Sequence, residues 1–303
     1  MFLAPLRIFP QKVADSARLP KNNSILLPTE KAHPTPWKLT KHHIDMSTII
    51  YSSPIFGPVH SRRLGISLGI NLMPADGKIC TFDCLYCECG LNADHRPHTP
   101  RPSHLEVAHK LEEKLQEMAA NGALPDTITF AGNGEPTAHP HFPEIIADTL
   151  ELRNRYCPKA KVGVLSNSTF IHRPEVRQAL MQIDQNILKL DTVDESYIHH
   201  LDRPTARYSL PEVLENMKLF NGRLIIQTMF LKGSYQGKNL DNTGDEYVLP
   251  WIAALKEIRP QQVMIYTIAR ETPISTLQKA TPAELDRIAN LLRTEGFSVS
   301  VSY

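Results

Sequence analysis

The stretch LGISLGINLMP, residues 64–74, leads within four residues into KICTFDCLYCECG, residues 78–90. The first half is a run of β-formers bounded by Gly and Pro, and predicts a short strand. The second places four of the chain's five cysteines between Cys80 and Cys89. A strand that delivers the chain straight into a thiol-rich loop is the plan of an α/β protein, where functional groups gather past the C-terminal ends of the strands.

Downstream, strand and helix patterns alternate. SHLEVAHKLEEKLQEMAANG predicts a helix with a Ser103–Glu106 capping box, a stripe of Ala108, Leu111, Leu115 and Met118, and Gly122 at its end. Strands are expected at 127–132, 161–169, 186–193, 223–233 and 262–270, with a last one in FSVSVSY. Helices are expected at 142–155, from Pro174 to about Met181, after Ser209, at Tyr247 to Ile258, and after Thr281, where Pro282 and Glu284 complete the N-terminal signal. Short apolar strands between amphipathic helices imply parallel βαβ units. The expected fold is α/β, a partial (β/α)6 TIM-like barrel with parallel strands; an open doubly wound sheet is the alternative.

Residues 1–50, rich in Pro, Lys, His and Asn, read as an extended or disordered tail, with Met46 a candidate true start; residues 51–303 form the expected core domain. The start, MFLAPLRIFPQKVADS, lacks the pattern of a signal peptide, and no apolar run approaches a membrane span. A reducing cytoplasm is therefore the expected compartment. There, five cysteines, an odd number, favour metal binding over disulfides. Lys+Arg of 33 against Asp+Glu of 32 leaves no global nucleic-acid footprint.

Cys80, Cys84 and Cys87 stand in the order C-x3-C-x2-C. Zinc wants four ligands, usually in two separated pairs, and here His95 or His98 would have to complete the set. Three thiolates on one loop can instead hold three irons of a [4Fe–4S] cube, leaving the fourth open to an exogenous ligand. Cys89 then becomes surplus, and a zinc- or cluster-stabilised binding module without catalysis stays in contention.

With Tyr86 before the last cysteine, this motif resembles the signature of the radical S-adenosylmethionine superfamily. The resemblance implies a [4Fe–4S] cluster on Cys80, Cys84 and Cys87, and S-adenosylmethionine chelated to the open iron with Tyr86 against its adenine. Reductive cleavage would then give a 5′-deoxyadenosyl radical that abstracts hydrogen from substrate. FAGNGEPT, 130–137, is similar to the superfamily's Gly-Gly-Glu element, with Gly132, Asn133, Gly134 and Glu135 at the methionine amine. Ser166 and Asn167 in LSNST resemble ribose or carboxylate contacts, and Asp191 in ILKLDTV a ribose or substrate contact. Lys189 pairs with Asp191 at period two, and a structural ion pair is the other reading for both.

Together with GPVHSRRLGISLGIN, residues 57–71, the motif resembles the branch related to tRNA wybutosine (imidazoguanosine) synthetases. The resemblance implies a modified nucleoside or tRNA as substrate, with Arg62 and Arg63 as candidate anion contacts. That branch holds a second cluster on upstream cysteines, whereas no cysteine precedes Cys80 here. An activase for a glycyl-radical enzyme is the runner-up. Either enzyme implies an electron donor such as flavodoxin or ferredoxin.

Overall fold

A computed structural model describes residues 48–61 and 65–303. It begins with an antiparallel pair, β1 (Ile55–Ser61) on β2 (Gly65–Ile70), with Ile55 opposite Ile70. Strands and helices then alternate: α1 (His104–Ala120), β3 (Thr127–Phe130), α2 (Phe142–Tyr156), β4 (Lys161–Ser166), α3 (Pro174–Leu180) and β5 (Gln185–Lys189). Two helices follow, α4 (Glu195–Leu201) and α5 (Leu210–Lys218). The second half runs β6 (Ile225–Met229), β7 (Leu231–Tyr235), β8 (Lys238–Asn239), α6 (Asp245–Ile258), β9 (Gln262–Tyr266), β10 (Leu277–Lys279), α7 (Pro282–Thr294) and β11 (Val299–Ser302). No helix among the described residues is long and apolar enough to cross a membrane.

The main sheet has eight strands in the order β1-β2-β3-β4-β5-β6-β9-β11. All neighbours except β1 and β2 are parallel. Side chains alternate between its faces. On one, Leu68, Ile128, Val162, Leu188, Ile226 and Val263 are fully or almost fully buried in the main apolar core, which they share with the helices. On the other, Phe56, Thr129, Ile187, Gln227, Met264 and Ser302 line one cavity. Strands from one edge of the sheet to the other converge on that cavity, so the sheet is curled. This is the expected partial barrel, and the seven strands read from the sequence correspond to its seven parallel strands. β1 and β11 form its two edges and do not pair with each other.

The departures from expectation have physical reasons. Residues 223–233 are not one strand. At Leu231 the main-chain N–H turns to Asn242 Oδ1, 2.9 Å away, and the chain leaves the barrel to build a small sheet, β10-β7-β8. Helix α4 goes unannounced because it is only two turns long; Asp194 caps it by accepting from Tyr197 N at 3.0 Å. In α1 the buried stripe starts at Val107, not Ala108, which is half-buried at its edge. β5 ends at Lys189, so Asp191 lies just past the strand. The tail and Met46 fall in residues 1–47, and Arg62 and Arg63 in the gap at 62–64, all outside the described residues. Residues 48–50, assigned by sequence to the tail, are instead tied to the cysteine loop: Ile49 N donates to Glu88 O at 2.8 Å.

Both expected capping boxes form, at Ser103–Glu106 and Thr281–Glu284. At the second, the slight burial of Glu284 opposes ionisation. The hydrogen bond from Lys232, at 2.9 Å, and those from the Thr281 main chain and hydroxyl outweigh it and hold the carboxyl down at about 2. A carboxylate depressed in the folded state stabilises above its unfolded pKa and loses that contribution as pH falls through its folded value. Glu284→Gln is therefore expected to lower the melting temperature most above pH 4.5, with the deficit vanishing as pH falls towards 2. Thermal melts of both proteins across that window check it; a deficit independent of pH would contradict the assignment.

Candidate active site

The cysteine loop leaves β2 and is docked at both flanks. Asp83 N and Leu85 N donate to Asp202 O and Leu201 O, both at 2.9 Å, so the C-terminal end of α4 carries the loop. On the other flank it meets the loop after β3: Ile79 N donates to Asn133 O at 3.0 Å, and Glu135 N to Ile79 O at 3.2 Å. That approach is why position 134 is glycine. A Cβ there would stand 1.8 Å from Ile79 O, at a φ of +144°.

Glu135 is 1% exposed, and its carboxylate gathers four donors. Oε1 accepts from Thr137 N (3.0 Å), Thr137 Oγ1 and Ser166 Oγ (2.9 Å), and Oε2 from Asn167 N (2.6 Å). Burial raises its pKa, and these bonds work against that rise. The carboxylate thereby locks the end of β3 to the end of β4. Asn167, held in place, reaches across to the cysteine loop, donating to Thr81 Oγ1 at 2.8 Å with Cys80 Sγ at 3.6 Å.

A second polar cluster anchors the last turn of the loop. Tyr86 OH donates to Asp191 Oδ2 at 2.5 Å, and Met229 N to Asp191 Oδ1 at 2.9 Å. Lys189 bonds Tyr86 OH and Asp191, and its Nζ lies 3.0 Å from Asp202 Oδ1. Burial would lower the Lys189 pKa; the two carboxylates outweigh it and hold the ammonium charged. Asp202, pushed up by burial more than the lysine pulls it down, sits at about 6.

The three thiols differ in their surroundings. Burial, reinforced by the Glu135 charge, raises Cys80 to about 12, and Cys84 is raised by burial and the Asp202 charge. Cys87 is lowered to about 6, first by a hydrogen bond from Cys89 and then by the Lys78 charge, against its burial. Cys89, buried beside Cys87, also has its Sγ on Gly132 O at 3.3 Å. Lys78 is missed by sequence reasoning, because nothing in a lone Lys announces burial. Its ammonium donates to Gly90 O at 2.6 Å and faces all three thiols.

Beside the loop lies the cavity, about 560 Å³, bordered by Tyr86, Cys87 and Gly132 and running down the lumen past Gln227 and Met264. Arg270 closes its rim on Glu88 Oε2 (2.7 Å) and Tyr51 OH (3.1 Å).

Of the cofactor contacts expected from sequence, Tyr86 and Gly132 border this cavity. Asn133 is fully buried: its Oδ1 accepts from Tyr51 N, and its Nδ2 donates to Tyr51 O and Pro74 O, all within 2.9 Å. Ser166 is consumed by Glu135 and by Ser168 N, and both oxygens of Asp191 by the Tyr86 cluster. The zinc alternative is not assembled. His95 Nε2 bonds Thr48 Oγ1 at 2.9 Å, and among the described residues no three of His, Cys, Asp and Glu converge on a single-ion site. Cys157 lies in the apolar core at the end of α2.

Residues 76–233 match the model of the radical SAM superfamily, and the chain belongs to that superfamily. Its cofactors are those of the superfamily, a [4Fe–4S] cluster and S-adenosylmethionine, and it is an enzyme of radical chemistry. A UPF0026 protein of Helicobacter pylori is 30% identical over 253 residues, covering 82% of this chain and 75% of the relative. The UPF0026 protein MJ1312 of Methanocaldococcus jannaschii is 32% identical over 222 residues, 71% of this chain and 63% of the relative. In fold, the chain is similar to a radical SAM methyltransferase from Sphaerobacter thermophilus (TM-score 0.59, 16% identity, 78% of this chain and 66% of that one). It is also similar to Streptococcus suis SuiB bound to S-adenosylmethionine (TM-score 0.55, 17% identity, 78% of this chain), of which it spans 50%.

Gly134→Ala is expected to force the β3 loop off the cysteine loop and to cost more than about 1 kcal/mol, since alanine suits neither the backbone angle nor the space. Chemical denaturation and thiol accessibility would both register it; a variant with unchanged stability and thiol protection would refute the contact's importance.

Proposed function

We propose that Cys80, Cys84 and Cys87 ligate the cluster and that S-adenosylmethionine lies in the cavity against Tyr86 and Gly132. The observation that supports this best is the placing of the thiols. Three half-buried, unpaired cysteines share one docked loop, Cys87 borders the cavity, and the set does not close on a single ion. Bound together, the two cofactors supply a 5′-deoxyadenosyl radical once an electron donor of the flavodoxin or ferredoxin class has delivered one electron. The protein's own residues do the rest. Gly134 and Glu135 set the course of the backbone beside Gly132, Asn167 holds the strand of the loop that carries Cys80, and the Asp191–Lys189 pair fixes Tyr86.

Full-length protein reconstituted anaerobically is expected to carry about four irons per chain and to release 5′-deoxyadenosine from S-adenosylmethionine and dithionite. Alanine at Cys80, Cys84 or Cys87 should abolish both; alanine at Cys89 or Cys157 should leave the iron in place. Iron retained without Cys84, or zinc in its stead, would overturn the ligand assignment.

A nucleoside, free or within RNA, is the substrate that the lumen favours. Its polar groups below the rim are uncharged, Gln227 presenting a half-buried amide and Ser67 and Thr129 their hydroxyls, among Leu165, Ile187 and Met264. An amide can pair with the donor–acceptor edge of a base, and apolar walls suit its faces. Gln227→Ala is expected to weaken binding of the nucleosides guanosine, adenosine, cytidine or uridine by roughly tenfold, the worth of one lost hydrogen bond in a buried site. Calorimetry on the S-adenosylmethionine-loaded protein tests this; binding of none of the four, or binding indifferent to the substitution, counts against a nucleoside.

A further inference from the structure

Lys78 opens the cysteine loop, and its side chain is 1% exposed. The loop is wound about it. Its Nζ donates to Gly90 O at the far end of the loop, 2.6 Å away, and Gly90 N in turn donates to Cys87 O at 2.9 Å, which places the ammonium beside the last turn of the cysteine motif. Among the described residues its carboxylate partner is distant and shared. The closest carboxylate is Asp83, whose Oδ1 stands 4.0 Å off, and that group is already shared: it accepts from Asn92 N at 2.7 Å and pairs with Arg203 at 3.3 Å. A buried ammonium with only a distant, shared partner is costly unless other negative charge stands near it. Among the described residues of this loop, the other groups able to become negative against Lys78 are thiols, those of Cys80, Cys84 and Cys87 and the surplus Cys89.

We propose that Lys78 is the internal counter-ion of the cluster, offsetting the charge of its three thiolate ligands and setting the potential at which it accepts an electron. This rests on the ligand assignment above. A fixed positive charge beside a redox centre favours the form with one electron more, so the ammonium makes the one-electron reduction easier. Asp83 acts in the opposite sense, by cancelling part of that charge.

The two residues therefore give shifts of opposite sign, which a merely structural role would not. The full chain is reconstituted anaerobically with iron and sulfide, its iron counted, and the dithionite reduction followed by electron paramagnetic resonance at controlled potential. Lys78→Met, of similar length and no charge, is expected to shift the reduction equilibrium against the reduced form tenfold or more, about 59 mV or more to the negative for one electron. Asp83→Asn is expected to move it the other way. Midpoints unchanged in both variants, or displaced in the same direction, would overturn the proposal. Should Lys78→Met hold no iron, Lys78→Gln and Lys78→Arg take its place: a negative shift in the first, with the second close to the unsubstituted protein, sustains the counter-ion, and equal midpoints in the two remove it. Failure of the ligand assignment looks different, since the unsubstituted protein would then lack the four irons on which every potential is read.

Discussion

The site depends on a buried carboxylate that cannot be left bare. Glu135 has almost no contact with solvent, so its charge must be met by donors from the protein, and those come from two successive strand ends. The requirement fixes the loop after β3 against the loop after β4. Asn167, fixed in turn, spans to the cysteine loop, while Gly134 allows the main chain of that loop to come close. The loop that carries the thiols is thus held by contacts that come from the sheet.

A second anchor works on the same loop from the other side. Asp191, Lys189 and Asp202 hold Tyr86 and the end of α4 together. One cation is set against two carboxylates, and burial, opposed by Lys189 and reinforced by the Asp191 charge, holds the Asp202 pKa up at about 6. Cys84 lies beside this cluster and Cys80 beside Glu135, both discouraged from ionising. Only Cys87, with Cys89 and Lys78 as neighbours, is drawn towards thiolate. The three thiols of the loop therefore sit in electrostatically unequal surroundings.

Much of this was legible in the chain. Period-two strands and capped amphipathic helices carry their signals in nearest neighbours, and the barrel and its capped helices followed from them. What sequence order does not carry is which partner a polar group finds after folding. Asn133 looks like a ligand contact in FAGNGEPT because it sits between two glycines; only the fold shows it spent on Tyr51 and Pro74. Asp191 was readable as half of a pair with Lys189, but not as the acceptor for Tyr86 or for the main chain at Met229. Lys78 was invisible for the same reason, since a lysine's burial depends on the loop that closes over it.

The two unpaired edges of the sheet, β1 and β11, both face the cavity, through Phe56 and Ser302. A closed ring of strands would admit only what fits through its mouth. Among the described residues the strands instead make a sleeve with a seam between β1 and β11, so a group that reaches the lumen from that side need not pass through its mouth.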